Sequence, residues 1–211
     1  ISSEARNEID LQGKLLIPGL IDDQVHFREP GLTHKGEIAT ESKAAIAGGV
    51  TSYFEMPNVN PNTSTIENLE KKFDIAANKS YANYSFYLGA TNDNIEEIKK
   101  SDPNASCGLK VFMGASTGDL LVDKYESLEK IFEHCPTNIV THCEDPKRLI
   151  ENENIFQEKY GDQLHAAHHA VIRDEECCYL SSSLAVGLAK RFGANLHVLH
   201  LSTKREMDLS L

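Results

Sequence analysis

Six short apolar segments, separated by stretches of helical periodicity, constrain the fold of this chain more than any other feature of its sequence. The apolar segments are rich in β-branched and aromatic residues, as strands are. In chain order they are LLIPGLIDDQVHF, GVTSYFEMP, YSFYLGA, CGLKVFMG, NIVTHCE and NLHVLHLS. The intervening segments predict helices over 38–47, 65–79, 94–100, 124–134, 146–159 and 174–192. This alternation predicts a parallel sheet covered by helices.

Polar residues at the strand ends distinguish an open doubly wound sheet from a (β/α) barrel. Ligand-type residues lie at or just past the carboxyl ends of five segments: His26 and Arg28, Glu55 and Asn58, Lys110, His142 and Glu144, and His200. In a barrel these ends meet on one face, whereas an open sheet binds its ligand mainly at one crevice. We therefore expect an α/β fold of the (β/α)8 TIM-barrel type. Because such a barrel takes about 250 residues, the 211 residues predict about six of its eight βα units.

Charge and composition favour a small-molecule partner. The formal net charge is −11, which disfavours binding to nucleic acid or to an anionic membrane surface. No apolar run approaches the roughly 20 residues of a membrane span, and the first residues lack a signal-peptide pattern. The five cysteines form no CxxC pair, which argues against a disulfide framework or a cysteine-based zinc site. We expect a cytoplasmic protein.

Histidines at three strand ends suggest a metal site. Alternate strand residues point the same way, so Gln24, His26 and Arg28 share one face, which in a barrel is the interior. His142 and His200 each end another apolar strand. Since neutral imidazole is the commonest ligand for zinc-like ions, three such histidines on one barrel face predict a metal centre.

Lys110 lies inside an apolar strand, between Leu109 and Val111. Burying an ammonium group there is costly unless it is paired or neutralised. Two explanations stay open. The side chain either points outward and reaches water between helices, or it faces the barrel interior with a lowered pKa, as a nucleophile or a modified group.

Arg28 and Asn58 suggest how a substrate would be held. Arg28 can form a bidentate pair with a carboxylate, although a salt bridge with Glu29 or Glu37 would also explain it. Asn58 offers a donor and an acceptor at a strand end, although an asparagine beside prolines also forms turns. Together with the histidines, these residues predict metal-assisted hydrolysis of a small anionic compound, with metal-bound hydroxide as the nucleophile.

The motifs that carry these residues resemble those of one family. PGLIDDQVHFREPG is similar to the first-strand motif of cyclic amidohydrolases, Pro-Gly-x-x-Asp-x-His-x-His, and its Arg-Glu-Pro-Gly is most similar to dihydroorotases. EMPNVNP, GLKVFMG, IVTHCED, IRDEECCYLSSSLA and LHVLHLST follow in the same order as in the family. The resemblance covers nearly the whole chain. Allantoinases and hydantoinases share the metal framework and remain alternatives, but Arg28 favours dihydroorotase.

The resemblance implies an enzyme of pyrimidine biosynthesis that interconverts N-carbamoyl-L-aspartate and L-dihydroorotate, with one or two zinc ions at the carboxyl face of the barrel. It implies that His26 ligates the first ion, and that His142 and His200 ligate the second. Lys110 would be carboxylated by CO2 to a carbamate that bridges both ions. Arg28 and Asn58 would bind the substrate carboxylate.

Gln24 departs from the family pattern, because a histidine stands at this position in the motif. A glutamine carbonyl oxygen is a poorer partner for zinc than an imidazole nitrogen. The alternatives are a two-metal enzyme with a weak first site, a one-metal enzyme at His142 and His200, and a non-catalytic subunit that pairs with a carbamoyltransferase. The resemblance also implies a homodimer.

The resemblance further implies the domain organisation. Residues 1–15 would be the end of an N-terminal β-subdomain, and residues 16–211 a partial barrel. The family's general acid/base, an aspartate of the eighth strand, would lie outside these residues. We therefore expect the 211 residues alone to be inactive.

Overall fold

The computed structural model of the chain describes residues 7–114 and 118–209 and contains one six-stranded sheet. The strands are β1 (Leu20–Val25), β2 (Val50–Glu55), β3 (Asn83–Gly89), β4 (Gly108–Phe112), β5 (Ile139–His142) and β6 (Leu196–Val198). They lie in the order β1-β2-β3-β4-β5-β6, and every neighbouring pair is parallel. An order that never reverses excludes the doubly wound sheet, whose ligand crevice forms at the reversal. The strands curl into a half-barrel, which confirms the predicted partial TIM barrel.

Helices follow the strands, as the periodicity predicted. They are α1 (Ile38–Ala47), α2 (Ile66–Lys79), α3 (Ile95–Ile98), α4 (Tyr125–His134), α5 (Pro146–Tyr160), α6 (His169–Ile172) and α7 (Glu175–Phe192). Short 3-10 helices cover Gly118–Leu120, Gly161–Gln163, Ala166–His168 and Arg205–Asp208. Within the described ranges, no helix combines the length and apolarity needed to cross a membrane.

Two predicted elements are shorter in the structure. The helix expected over 94–100 is only Ile95–Ile98, because the hydroxyl of Ser101 donates to the carbonyl oxygen of Ile98 at 2.6 Å and Pro103 follows. The first strand begins at Leu20 rather than at residue 15. Of the expected lead-in over 1–15, residues 1–6 lie outside the described part of the chain, and residues 7–15 contain no helix or strand.

The main core lies between the central strands and the helices that cover them. Leu109 and Val111 of β4 are fully buried and pack in one cluster with Leu128 and Ile131 of α4 and Ala185 of α7. All five positions of β4 are buried, as in strands covered on both faces. Because strand side chains alternate, the side opposite Leu109 and Val111 carries Lys110 into the barrel interior.

Side-chain caps fix where three helices begin. Thr65, Asp145 and Asp174 accept backbone N–H groups at the starts of α2, α5 and α7, at distances of 2.8–3.1 Å. Gly193, with φ +69°, ends α7 in the left-handed conformation that glycine adopts readily. The three helices begin within one residue of the starts predicted over 65–79, 146–159 and 174–192. All five cysteines are free thiols.

Asp174 should stabilise the fold both as a cap and as an ion-pair partner. Its carboxylate accepts the backbone N–H of Cys177 and binds Arg148 Nε at 2.8 Å. We expect Asp174→Ala to lower the free energy of unfolding by about 1–2 kcal/mol, the usual cost of losing an N-cap. Asp174→Asn, which can still cap, should lose less. Urea denaturation at pH 7 measures both values.

The same residue gives a pH dependence. The hydrogen bond from Arg148 holds the pKa of Asp174 well below its usual range. Its ionic stabilisation is therefore complete above the unfolded pKa, about 4, and is lost as the pH falls through the lower native value. The stability difference between native protein and Asp174→Asn should shrink in acid. A difference that stays constant from pH 7 to pH 2 would contradict this.

Candidate metal and substrate site

The predicted site residues form two groups at the carboxyl ends of the strands, with Lys110 between them. On the β1–β2 side, Asn58 contacts both His26 and Arg28. His142 and His200 meet on the β5–β6 side. Lys110 belongs to β4, which lies between the β1–β2 and β5–β6 pairs in the sheet.

The pair formed by His142 and His200 has the geometry of two ligands of one ion. His142 Nδ1 lies 3.2 Å from His200 Nε2. Two imidazole nitrogens bound to one tetrahedral zinc ion at 2.0–2.1 Å would lie about 3.3–3.4 Å apart. Burial, then the neighbouring charges of His142 and Lys110, lower the pKa of His200, so this ring stays neutral near pH 7. Neutral rings keep a lone pair for a metal.

A carboxylate and a guanidinium support this histidine pair. Glu144 Oε2 lies 2.7 Å from His142 Nε2, and Arg173 Nε lies 3.4 Å from Glu144 Oε1. Burial opposes the charge on Glu144, but the contact with His142 and the charge of Arg173 lower its pKa below the usual value. A cavity of about 230 Å³ adjoins this side and is lined by His142, Glu144, His169, Arg173 and His200, among others.

Lys110 faces the interior and does not reach solvent. Its side chain belongs to a residue that is only 1% exposed, and its Nζ has no hydrogen-bond partner among the described residues. The nearest aromatic contact is the ring of Phe112, 4.7 Å from Nζ. Burial lowers the pKa of Lys110 to about 7. The outward-facing explanation is therefore excluded, and the residue carries a partly neutral amine at physiological pH.

The β1–β2 group fixes one histidine tautomer. His26 Nδ1 lies 2.8 Å from Asn58 Oδ1, and because that oxygen only accepts, Nδ1 carries the proton and Nε2 is free to bind a metal. Burial, then the charge of Arg28, lowers the pKa of His26 to about 4. Arg28 Nη1 donates to the backbone carbonyl of Asn58 at 3.3 Å. Asn58 therefore does more than shape a turn.

Arg28 does not form the salt bridge considered from its sequence neighbours. Glu29 and Glu37 pair with Lys79 instead. Arg28 has φ +70°, and Glu55 Oε1 accepts its backbone N–H at 3.0 Å. A non-glycine residue in this region is strained by roughly 1–3 kcal/mol and persists only where its surroundings hold it. His200, with φ +38°, also has a positive φ.

Gln24 occupies β1, two residues before His26, and is half-buried. Its backbone N–H donates to the Asp22 carboxylate at 3.1 Å. Across the described ranges, no three His, Cys, Asp or Glu side chains converge on one point suited to a metal ion. The described residues instead supply one histidine pair, His142 with His200, and the separate His26, with the buried amine of Lys110 on the strand β4.

Four residues of this site had no role assigned from sequence: Glu55, Lys72, Glu144 and Arg173. Glu55 and Glu144 were visible as strand-end carboxylates, and Glu144 stands two residues after His142, the spacing that places strand residues on one face. Lys72 gave no signal, since it is one of several lysines in its helix. It is fully buried, pairs with Glu55 at 3.1 Å and donates to the Met56 carbonyl at 2.9 Å.

Known proteins of similar sequence identify the family of this chain. The family model described as "Dihydro-orotase-like" matches residues 13–206. The chain belongs to this dihydro-orotase-like family. An allantoinase from Streptomyces avermitilis is 34% identical over 95% of the chain, and a dihydroorotase from Methanosphaera stadtmanae is 30% identical over 95%. The chain spans 45% of the length of each.

Solved structures of similar proteins show the same fold. The L-hydantoinase from Arthrobacter aurescens superposes with a TM-score of 0.91 at 27% identity, covering 99% of this chain and 47% of the hydantoinase chain. The dihydro-orotase-like chain therefore has the fold of about half of a longer relative. Relatives with three different names match it, so similarity alone does not select the substrate.

Lys110 should make the stability of the metal-free protein depend on pH. Its native pKa of about 7 lies below the unfolded value of 10.5. Between these values the unfolded state binds more protons, so the free energy of unfolding should rise with pH, by up to about 1.4 kcal/mol per unit. We expect Lys110→Met to abolish this rise between pH 7 and 10, as measured by urea denaturation in the presence of a chelator. Equal slopes in both proteins would contradict the assignment.

Proposed function

We propose that the intact protein is a cyclic amidohydrolase and, more specifically, a dihydroorotase that interconverts L-dihydroorotate and N-carbamoyl-L-aspartate. The observation that carries this proposal is the buried amine of Lys110, without a hydrogen-bond partner in the described ranges, between two histidine groups in a dihydro-orotase-like chain. Burying such an amine without a partner and without modification destabilises the folded state. Its position becomes favourable once the amine is converted to an anion between two cations.

The site residues fit a zinc centre of this kind. His142 and His200 would hold one ion, and His26 with the carbonyl oxygen of Gln24 would contribute to the other. Lys110 would supply a bridging carbamate, formed when the neutral amine adds to CO2 and releases one proton. A bound zinc ion would polarise the scissile amide carbonyl and make water acidic near neutral pH.

The chain's own residues account for orientation of the substrate. Arg28, held by Glu55 and Asn58 in a strained conformation, presents a guanidinium that can pair with a carboxylate in bidentate fashion. Asn58 also holds His26 through its side-chain oxygen, so one residue couples substrate binding to the β1 ligand. The general acid/base would come from residues beyond these 211.

Arg28 is the residue that favours dihydroorotate over its alternatives. Dihydroorotate carries a carboxylate, whereas allantoin and hydantoin are uncharged rings near neutral pH. The allantoinase relative and the hydantoinase fold keep those activities as alternatives. Gln24 favours a third candidate, a non-catalytic subunit that binds a carbamoyltransferase. In either case we propose a homodimer located in the cytoplasm.

Arg28→Met in the intact protein tests the substrate assignment. We expect the native protein to hydrolyse dihydroorotate in preference to allantoin and hydantoin. The variant should lose about 10- to 100-fold in kcat/KM for dihydroorotate, the usual value of a charge-assisted hydrogen bond, while Arg191→Met on the exposed face of α7 should not. Equal activity of the two variants on dihydroorotate would refute the role of Arg28, and no activity on any ring would favour the non-catalytic subunit.

Gln24→His tests the metal stoichiometry. We expect plasma mass spectrometry of the intact native protein to find about one zinc per chain, because the amide oxygen of Gln24 is a weak zinc ligand. Restoring an imidazole should raise the content to about two. Two zinc ions in the native protein would show that Gln24 supports the first site. Zinc-free native protein and variant would argue against the metal centre.

A further inference from the structure

We propose that Glu144, braced by Arg173, is the positioning residue that fixes the tautomer and ring orientation of His142, so that Nδ1 of this ring faces His200. His142, Glu144 and Arg173 line the cavity beside β5. The consequence for metal binding rests on the proposed function. It starts from two contacts, Glu144 Oε2 to His142 Nε2 at 2.7 Å and Arg173 Nε to Glu144 Oε1 at 3.4 Å.

The contact with Glu144 decides which nitrogen of His142 carries the proton. An ionised carboxylate only accepts hydrogen bonds, so the proton must lie on Nε2. Nδ1 then has a free lone pair directed at His200 Nε2, 3.2 Å away. In the metal-free protein this lone pair can accept an Nε2–H of His200. The opposite tautomer of His142 would place two acceptors against each other at 2.7 Å.

The backbone holds Glu144 in this position. Cys143, between His142 and Glu144, turns the other way and bonds to the Thr141 hydroxyl at 3.2 Å, so His142 and Glu144 share one side. Gly114 lies so close that a Cβ atom there would stand 2.2 Å from the Glu144 carbonyl oxygen. The N–H of Asp145 donates to the Cys177 carbonyl at 2.8 Å. The backbone of Glu144 therefore has little freedom to move away from His142.

The backbone of Arg173, on the far side of the Glu144 carboxylate from His142, is also fixed by hydrogen bonds. Its backbone N–H donates to the His169 carbonyl at 2.9 Å, and the next residue, Asp174, caps α7 and binds Arg148. Glu144 is only 7% exposed, so the attraction to Arg173 is weakly screened. A carboxylate that accepts from a ligating histidine also raises the ligand's basicity, and removing such a group typically costs 10–100-fold in metal affinity.

The test uses the intact protein with 15N-labelled histidine, first without metal. We expect a low-field imidazole N–H resonance, assigned to His142 by its loss in His142→Gln, with the Nε2–H pattern in long-range proton–nitrogen spectra. Glu144→Ala should abolish its protection from exchange, and the near-isosteric Glu144→Gln should weaken it. Glu153→Gln, an exposed position on α5, removes the same charge and should change nothing.

Zinc affinity, measured by competition with a chelator, provides the second readout. It should fall about 10- to 100-fold in Glu144→Ala, less in Glu144→Gln, and not at all in Glu153→Gln. If Glu144→Ala does not fold, Glu144→Gln decides. A resonance as well protected as in the native protein, or unchanged zinc affinity, in a folded Glu144 variant overturns the proposal. If the native protein shows the resonance but binds no zinc, the proposed metal centre fails while the positioning role stands.

Discussion

The parallel hydrogen-bonded ladder between consecutive strands is the constraint on which the rest of the structure depends. Because each strand pairs with the next one in the chain, the carboxyl ends of all six strands face one side, and polar residues distant in sequence meet there. The register places Lys110 of β4 beside Gly89 of β3 and Val140 of β5. A slip of one residue would move the lysine into the outer core and bring Leu109 or Val111 inward.

A buried ion pair supports the β1–β2 side of the site. Glu55 and Lys72 are both fully buried, and burial raises the pKa of Glu55 and lowers that of Lys72, while each charge stabilises the other. Removing one partner of such a pair commonly costs about 3–5 kcal/mol. The charged groups of this pair also bind backbone atoms near the site. Glu55 holds the backbone of Arg28, and Lys72 holds the Met56 carbonyl two residues before Asn58.

The strand and helix order could be predicted from the sequence because the signals for it are local. Strand and helix periods, caps such as Asp145 and Asp174, and polar strand ends each depend on a few neighbouring residues. The side-chain contacts between elements could not be predicted in this way. No local pattern distinguishes Lys72 from its exposed neighbour Lys71, and nothing near Asn58 indicates that its two oxygens bind residues 32 and 30 positions earlier. Such choices are made by tertiary packing.

The two halves of the candidate site differ in how many of their candidate ligands are held in an orientation suited to a metal ion. On the β5–β6 side, Glu144 and the short approach of His200 leave two imidazole nitrogens at ligand spacing. On the β1 side, Asn58 prepares only His26, and Gln24 replaces the imidazole expected beside it. In the proposed metal centre, an imidazole pair on one side and an amide oxygen on the other would offer ligands of different hardness to the two ions. If Lys110 is carboxylated, its carbamate joins two unequal sites, and the ion held by the histidine pair would be bound more tightly.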